Sequence, residues 1–128
     1  MSEALSVLVV DDSRDAAESL ADIIELEGHV ATFCYSGEEA LAILDTTPYP
    51  LVFMDIRMPG MGGVAAAMEI LKRWPQVVVV FVTGNAHSQD DVLAPTRGRC
   101  QLLRKPYGPD QIREILDRAG ESRWADGA

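Results

Sequence analysis

Short aliphatic runs punctuate the chain at 5–10, 30–35, 51–54, 77–82 and 102–103. Valine and leucine dominate them, and the best are apolar throughout rather than alternating, as strands covered on both faces are. Between the runs the spacing becomes helical. Ala17, Leu20, Ala21 and Ile24 stand at i, i+3, i+4 and i+7, and so do Val64, Ala67, Met68 and Leu71. Ile112, Ile115, Leu116 and Ala119 repeat the spacing, so each set predicts one apolar stripe on a helix. The ends of the elements agree. Ser13 can cap the first helix and Gly28 can end it, while Ser36 and Glu39 have capping-box spacing for the second. Pro75 follows the third helix, Pro109 fits the first turn of the last, and Gly120 closes it. The weak member is a short helix at 88–94, just before Pro95.

Strand–helix alternation of this kind predicts an α/β fold with helices on both faces of a parallel sheet. Right-handed crossovers leave the flavodoxin-like, doubly wound five-stranded sheet, order 2-1-3-4-5, as the expected topology. A chain of 128 residues is one domain, predicted over 1–120 with a polar C-terminal tail at 121–128. Trp124 in that tail lacks a periodic face and reads equally as disordered tail or partner contact. Trp74 is expected to pack under the third helix, and His29 and His87 to be solvated.

Composition narrows the picture. The chain is 48% hydrophobic but only 6% aromatic, so the core must be aliphatic and disorder is excluded. A net charge of −9 argues against direct contact with nucleic acid or an anionic membrane surface. No apolar stretch approaches the ~18 residues that span a bilayer, and the first residues do not read as a signal peptide. Cys34 and Cys100 lack metal-ligand or redox spacing and read as small core hydrophobes. A cytoplasmic location is expected.

In an open parallel sheet, ligands bind beyond the carboxyl ends of the strands. The first strand is followed by Asp11 and Asp12, the third by Asp55, the fourth by Thr83 and the fifth by Lys105. Singly these are weak signals. Asp11 and Asp12 could be helix-capping acids, Asp55 a turn acid, and the other two ordinary strand ends. Jointly they place three carboxylates, a hydroxyl and an ammonium on one edge. Carboxylates so crowded repel unless a cation joins them, and hard oxygen ligands suit Mg²⁺. One carboxylate can then act as nucleophile toward phosphorus while Lys105 and Thr83 neutralise the phosphoryl oxygens.

The motifs V-L-V-V-D-D-S at 7–13, V-F-M-D-I-R-M-P-G-M at 52–61, V-T-G at 82–84 and R-K-P-Y at 104–107 carry a family resemblance. Over about residues 5–119 the chain resembles the response-regulator receiver domains of two-component signal transduction. The resemblance implies that Asp55 accepts a phosphoryl group from a sensor histidine kinase or a histidine phosphotransfer protein. It implies Mg²⁺ held directly by Asp12, Asp55 and the backbone carbonyl of Arg57, with Asp11 acting mainly through water. Thr83 matches the switch hydroxyl, Lys105 the phosphate-pairing lysine, and Pro106 a peptide usually cis. The family's self-catalysed acyl-phosphate hydrolysis and its output through a downstream protein follow by the same resemblance.

Three departures stand out. Leu102 replaces the aromatic residue usual three positions before the lysine, Pro95 and Gly98 interrupt the segment before the fifth strand, and Gly62 stands where an aspartate is common. The first two predict an output that avoids the usual threonine–aromatic switch and reshapes residues 84–99 instead. Arg97, Arg99 and Arg104 beside that segment could form a basic patch or be ordinary solvated arginines. The rival within the fold is a pseudo-receiver, a scaffold that is never phosphorylated, although such chains usually lose an acid or the lysine. An aspartate-nucleophile phosphatase would need Asp-x-Asp after the first strand, and a flavodoxin a loop without the acids of D-D-S-R-D.

Overall fold

The structure, a computed structural model, describes residues 4–84, 96 and 99–120. Its elements in chain order are β1 (Ser6–Val10), α1 (Arg14–Leu26), β2 (Val30–Cys34), α2 (Gly37–Thr46), β3 (Leu51–Asp55), α3 (Gly63–Arg73), β4 (Val78–Thr83), β5 (Cys100–Arg104) and a last helix, α4 (Pro109–Gly120). The expected helix at 88–94, His87, the Pro95 interruption, Arg97 and the tail lie outside the described residues.

All four ladders are parallel, and the strand order is 2-1-3-4-5 as expected. The unbroken apolar runs conceal a period of two, which separates two cores. Leu8, Val10, Val52, Met54, Val79 and Phe81 face α2 and α3, where Ala40, Leu44, Ala66, Ala67 and Ile70 meet them. Val7, Val9, Leu51, Phe53, Val80 and Val82 face α1 and α4, against Ala17, Leu20, Ile24, Ile112 and Leu116. With both faces covered, every residue of β4 is buried. Cys34 and Cys100 are buried free thiols in the first core, and burial pushes both up to about 11, so they are small hydrophobes as expected.

The helix ends follow their signals. Ser13 Oγ accepts from Ala16 N, and Gly28 beyond the end of α1 takes a φ of +93°, which favours glycine. Ser36 Oγ accepts from Glu39 N at 3.1 Å, while Glu39 Oε1 accepts from Tyr35 N at 2.9 Å, one residue before the usual partner in a capping box. Arg113 grips the carboxylate of Glu27 at 2.8 and 3.1 Å, tying α4 to the end of α1 and holding the Glu27 carboxyl below its ordinary range.

Two expectations need correction. The buried stripe of α3 is Gly63, Ala66, Ala67, Ile70 and Leu71, not the set containing Val64 and Met68; Met68 is 47% exposed. The same i, i+3, i+4, i+7 spacing fits one residue earlier. The helix turns its small residues inward because α2 approaches closely there: a Cβ on Gly37 would lie 2.9 Å from Ala66 Cβ. His29 is half-buried rather than solvated, and its Nδ1 accepts from Leu5 N at 2.9 Å. Trp74 caps α3 and packs half-buried against the first core, as predicted.

Candidate functional site

The acids reach the sheet edge because the ladders continue past the apolar runs. Asp11 N donates to Cys34 O at 3.1 Å, extending the β1–β2 pairing one residue beyond Val10. Asp11 Oδ1 then accepts from Ser13 N at 2.9 Å, an Asx turn that fixes the carboxylate as the chain enters α1. Asp11 is buried at 6% exposure, whereas Asp12 beside it is exposed. Asp55 is the last residue of β3, paired with Val82 on β4. One oxygen from each of Asp11, Asp12 and Asp55 can be chosen so that all lie within 4.8 Å of one another.

This crowding has an electrostatic cost. The Asp55 carboxyl is pushed up to about 6, first by burial and then by the charge of Asp11, with a smaller push from Asp12. Lys105 and a backbone hydrogen bond at Ile56 oppose the rise. A surface cluster of acids would relax into water; here Asp11 is buried and both strand ends are pinned by ladders. A set of hard oxygens only partly compensated in that position fits a small divalent cation such as Mg²⁺.

Thr83 ends β4, is 3% exposed and pairs with Arg104. Its carbonyl accepts from Lys105 N at 2.8 Å, so the ladder again runs one residue past the strand. The Lys105–Pro106 peptide is cis, as the resemblance implied. The Lys105 stem lies over Gly84, where a Cβ would stand 3.5 Å from its Cδ. Arg57 lies two residues past Asp55 on the same connection, with its side chain exposed and outside the carboxylate cluster. Tyr107 is a neighbour that motif reading did not single out. It packs half-buried against the second core, and burial and Asp11 push its phenol up.

Gly63 was also missed, although the paired glycines of M-P-G-M-G-G were a signal for it. Gly63 N donates to Ile56 O at 2.9 Å. A Cβ at this position would collide with the Asp55 carbonyl oxygen and come within 2.8 Å of Ile56 Cα. The start of α3 thus abuts the backbone that carries Asp55. At the opposite edge of the sheet a groove of about 290 Å³ opens between Tyr49, Trp74 and Val77, remote from all of these residues.

A doubly wound sheet with an acid cluster, a threonine and a lysine on its carboxyl edge defines the receiver class of signalling domain. The comparison with known proteins agrees: the profile of the response regulator receiver domain matches residues 7–117, and the chain belongs to that family. Among its relatives, the C4-dicarboxylate transport transcriptional regulatory protein DctD of Rhizobium meliloti is 36% identical over 96% of this chain and 27% of its own. The hydrogenase transcriptional regulatory protein HoxA of Cupriavidus necator is 32% identical over 95% of this chain and 25% of its own. The chain thus spans about a quarter of the length of these two curated relatives. The crystal structure of the receiver domain of NtrX from Brucella abortus superposes with a TM-score of 0.82 at 33% identity, covering 90% of this chain and 98% of that one. A CheY-like receiver domain protein from Methanospirillum hungatei gives 0.83 at 26% identity, covering 94% and 97%. This is therefore a signalling domain of the two-component response regulators. No helix among the described residues is long and apolar enough to cross a membrane.

Proposed function

We propose that this domain accepts a phosphoryl group on Asp55 from a phosphohistidine of a sensor histidine kinase or phosphotransfer protein in the cytoplasm, and signals by protein–protein contact. The observation that carries this reading is the closure of Asp11 and Asp12 on Asp55, one oxygen of each within 4.8 Å, on an edge that Lys105 also reaches electrostatically. In the reaction an Asp55 oxygen attacks phosphorus, the donor's P–N bond breaks as the P–O bond forms, and the departing imidazole nitrogen takes up a proton. Asp12, Asp55 and the Arg57 carbonyl would hold Mg²⁺, with Asp11 acting mainly through water. The ion supplies charge screening between the acids and the phosphoryl oxygens.

Lys105 pairs with one non-bridging oxygen, an attraction of roughly 4 kcal/mol at ~4 Å in a partly screened site. Thr83 donates its hydroxyl to another. Little beyond such positioning and neutralisation is needed for phosphoryl transfer, and the same groups speed hydrolysis of the acyl phosphate. The receiver unit is proposed to be 1–120, with 121–128 a polar tail. The net charge of −9 favours a protein target over direct contact with nucleic acid or membrane.

Incubation with Mg²⁺ and a labelled small phosphodonor should add one acid-stable, base-labile phosphoryl group. Asp55→Asn should remove the label. Labelling of Asp55→Asn at the wild-type rate would overturn the assignment.

A further inference from the structure

The connection from Asp55 to α3 is closed at its base by Gly63 N on Ile56 O. Its tip is held from a different element. Glu38, in the first turn of α2, accepts a hydrogen bond from Met61 N at its Oε2, at 3.2 Å. The neighbouring Gly60 has a φ of +73°, and a Cβ there would lie 2.9 Å from the same Glu38 oxygen. The backbone of the tip therefore passes beside the carboxylate, and a side chain at position 60 would have to displace it. The fit is tight behind it too, since a Cβ on Gly37 would stand 3.3 Å from the Met61 carbonyl oxygen. Glu38 itself is exposed, and no core packing explains its orientation.

We propose that Glu38 is a positioning residue of the Asp55 site. Its carboxylate ties the tip of the 56–62 connection to α2, and so holds the four residues between the Ile56 and Met61 anchors, the Arg57 backbone among them, in place for the metal. The inference rests on the phosphoacceptor reading of Asp55 and deepens it. A seven-residue connection anchored only at Gly63 would leave the Arg57 carbonyl to search for its orientation each time a cation binds. A second anchor removes that search before binding, which is the role of outer-shell partners at metal sites generally. Charge alone would not require the geometry seen, because an acid anywhere near the edge would attract a cation.

The test compares wild type, Glu38→Ala and Glu38→Gln, with two readouts. In the metal-free protein, exchange of the Met61 amide should be about fivefold faster in Glu38→Ala and close to wild type in Glu38→Gln, which keeps an acceptor oxygen. In labelling with the small phosphodonor, the Mg²⁺ concentration for half-maximal rate should rise by about five- to tenfold in Glu38→Ala, with the rate at saturating Mg²⁺ nearly unchanged. Glu38→Gln should restore the midpoint. The inference is overturned if Glu38→Ala matches wild type in either readout, or if Glu38→Gln behaves like alanine, which would make the effect one of charge. A wild-type protein that neither takes label nor responds to Mg²⁺ would instead overturn the phosphoacceptor reading, while the amide exchange still reports on the tether.

Discussion

Asp11 and Asp12 arrive at the sheet edge on a connection of only three residues between β1 and α1, whereas Asp55 heads the seven residues, 56–62, between β3 and α3. The short connection is rigid by its own chemistry: a ladder bond from Asp11 N, an Asx turn to Ser13 N, and the Ser13 cap all lie within it. The long one has no side-chain cap at its helix, where Gly62 stands. It is shaped by what presses on it, namely Gly63 against the Asp55 backbone and Glu38 against the tip. One side of the site is thus a platform, and the other is a strap held at both ends. The strap depends on neighbouring elements for its shape, whereas the platform holds itself. Substitutions on the two sides should therefore differ in kind.

The largest effect is expected on the strap. Gly63→Ala inserts a Cβ into the Asp55 carbonyl oxygen, and the listener at that contact is backbone, not a flexible side chain. Overpacking against backbone should cost about 3 kcal/mol of stability, and the relief must come from displacing α3 or the end of β3. Thermal melting should fall accordingly, and labelling at Asp55 should be lost even in the fraction that remains folded. A variant with wild-type melting and labelling would show that the strap is not clamped at its base.

A smaller effect, and one with a pH signature, follows from Asp55. Its folded value is raised from 3.8 to about 6, mainly by burial and by Asp11. A raised carboxyl binds its proton more tightly in the folded state, so its contribution to stability is fully present below pH 3.8 and is lost as pH rises through about 6. Without metal, Asp55→Asn should therefore gain on wild type above that range and show no such gain near pH 4. The gain should be about 1–2 kcal/mol once water reaching the half-exposed carboxylate is allowed for. Saturating Mg²⁺ should narrow the difference by stabilising the wild type. Denaturant titrations of both proteins at several pH values would decide; a gap that does not change with pH would show that the acids are not crowded.

Much of this was legible in the sequence, and the limits have physical causes. The strands were legible as apolar runs, because a two-faced sheet buries every position of a central strand, and their order followed from the right-handed crossover rule. The strand ends were drawn short: hydropathy stops at Met54 and Val82, while backbone pairing runs on through Asp55 and Thr83. β5 was visible only as Leu102 and Leu103, because the exposed Gln101 and Arg104 bound that apolar pair and cut it off from the buried Cys100. The α3 stripe was misplaced by one residue since a hydropathy pattern favours Val64 and Met68 over Gly63 and Ala66. Small residues chosen for close approach do not announce themselves. The acids, Thr83 and Lys105 were legible because each follows an apolar run, whereas Glu38 was not, because its partner is a backbone amide 23 residues away.

The smallest effect should come from the platform. Ser13→Ala removes the hydroxyl that accepts from Ala16 N at 3.4 Å, a long bond at the start of α1. Loss of an N-cap of that quality should cost about 0.5–1 kcal/mol. The site itself should not notice, because Asp11 Oδ1 accepts from the Ser13 backbone N–H, which alanine retains. Nor does the ladder bond from Asp11 N to Cys34 O involve the hydroxyl. The expected result is a slightly lower melting temperature with an unchanged Mg²⁺ midpoint and labelling rate. A labelling defect as large as that of Glu38→Ala would mean that the acid pair depends on the helix cap for its position, and that both connections, not one, are adjustable.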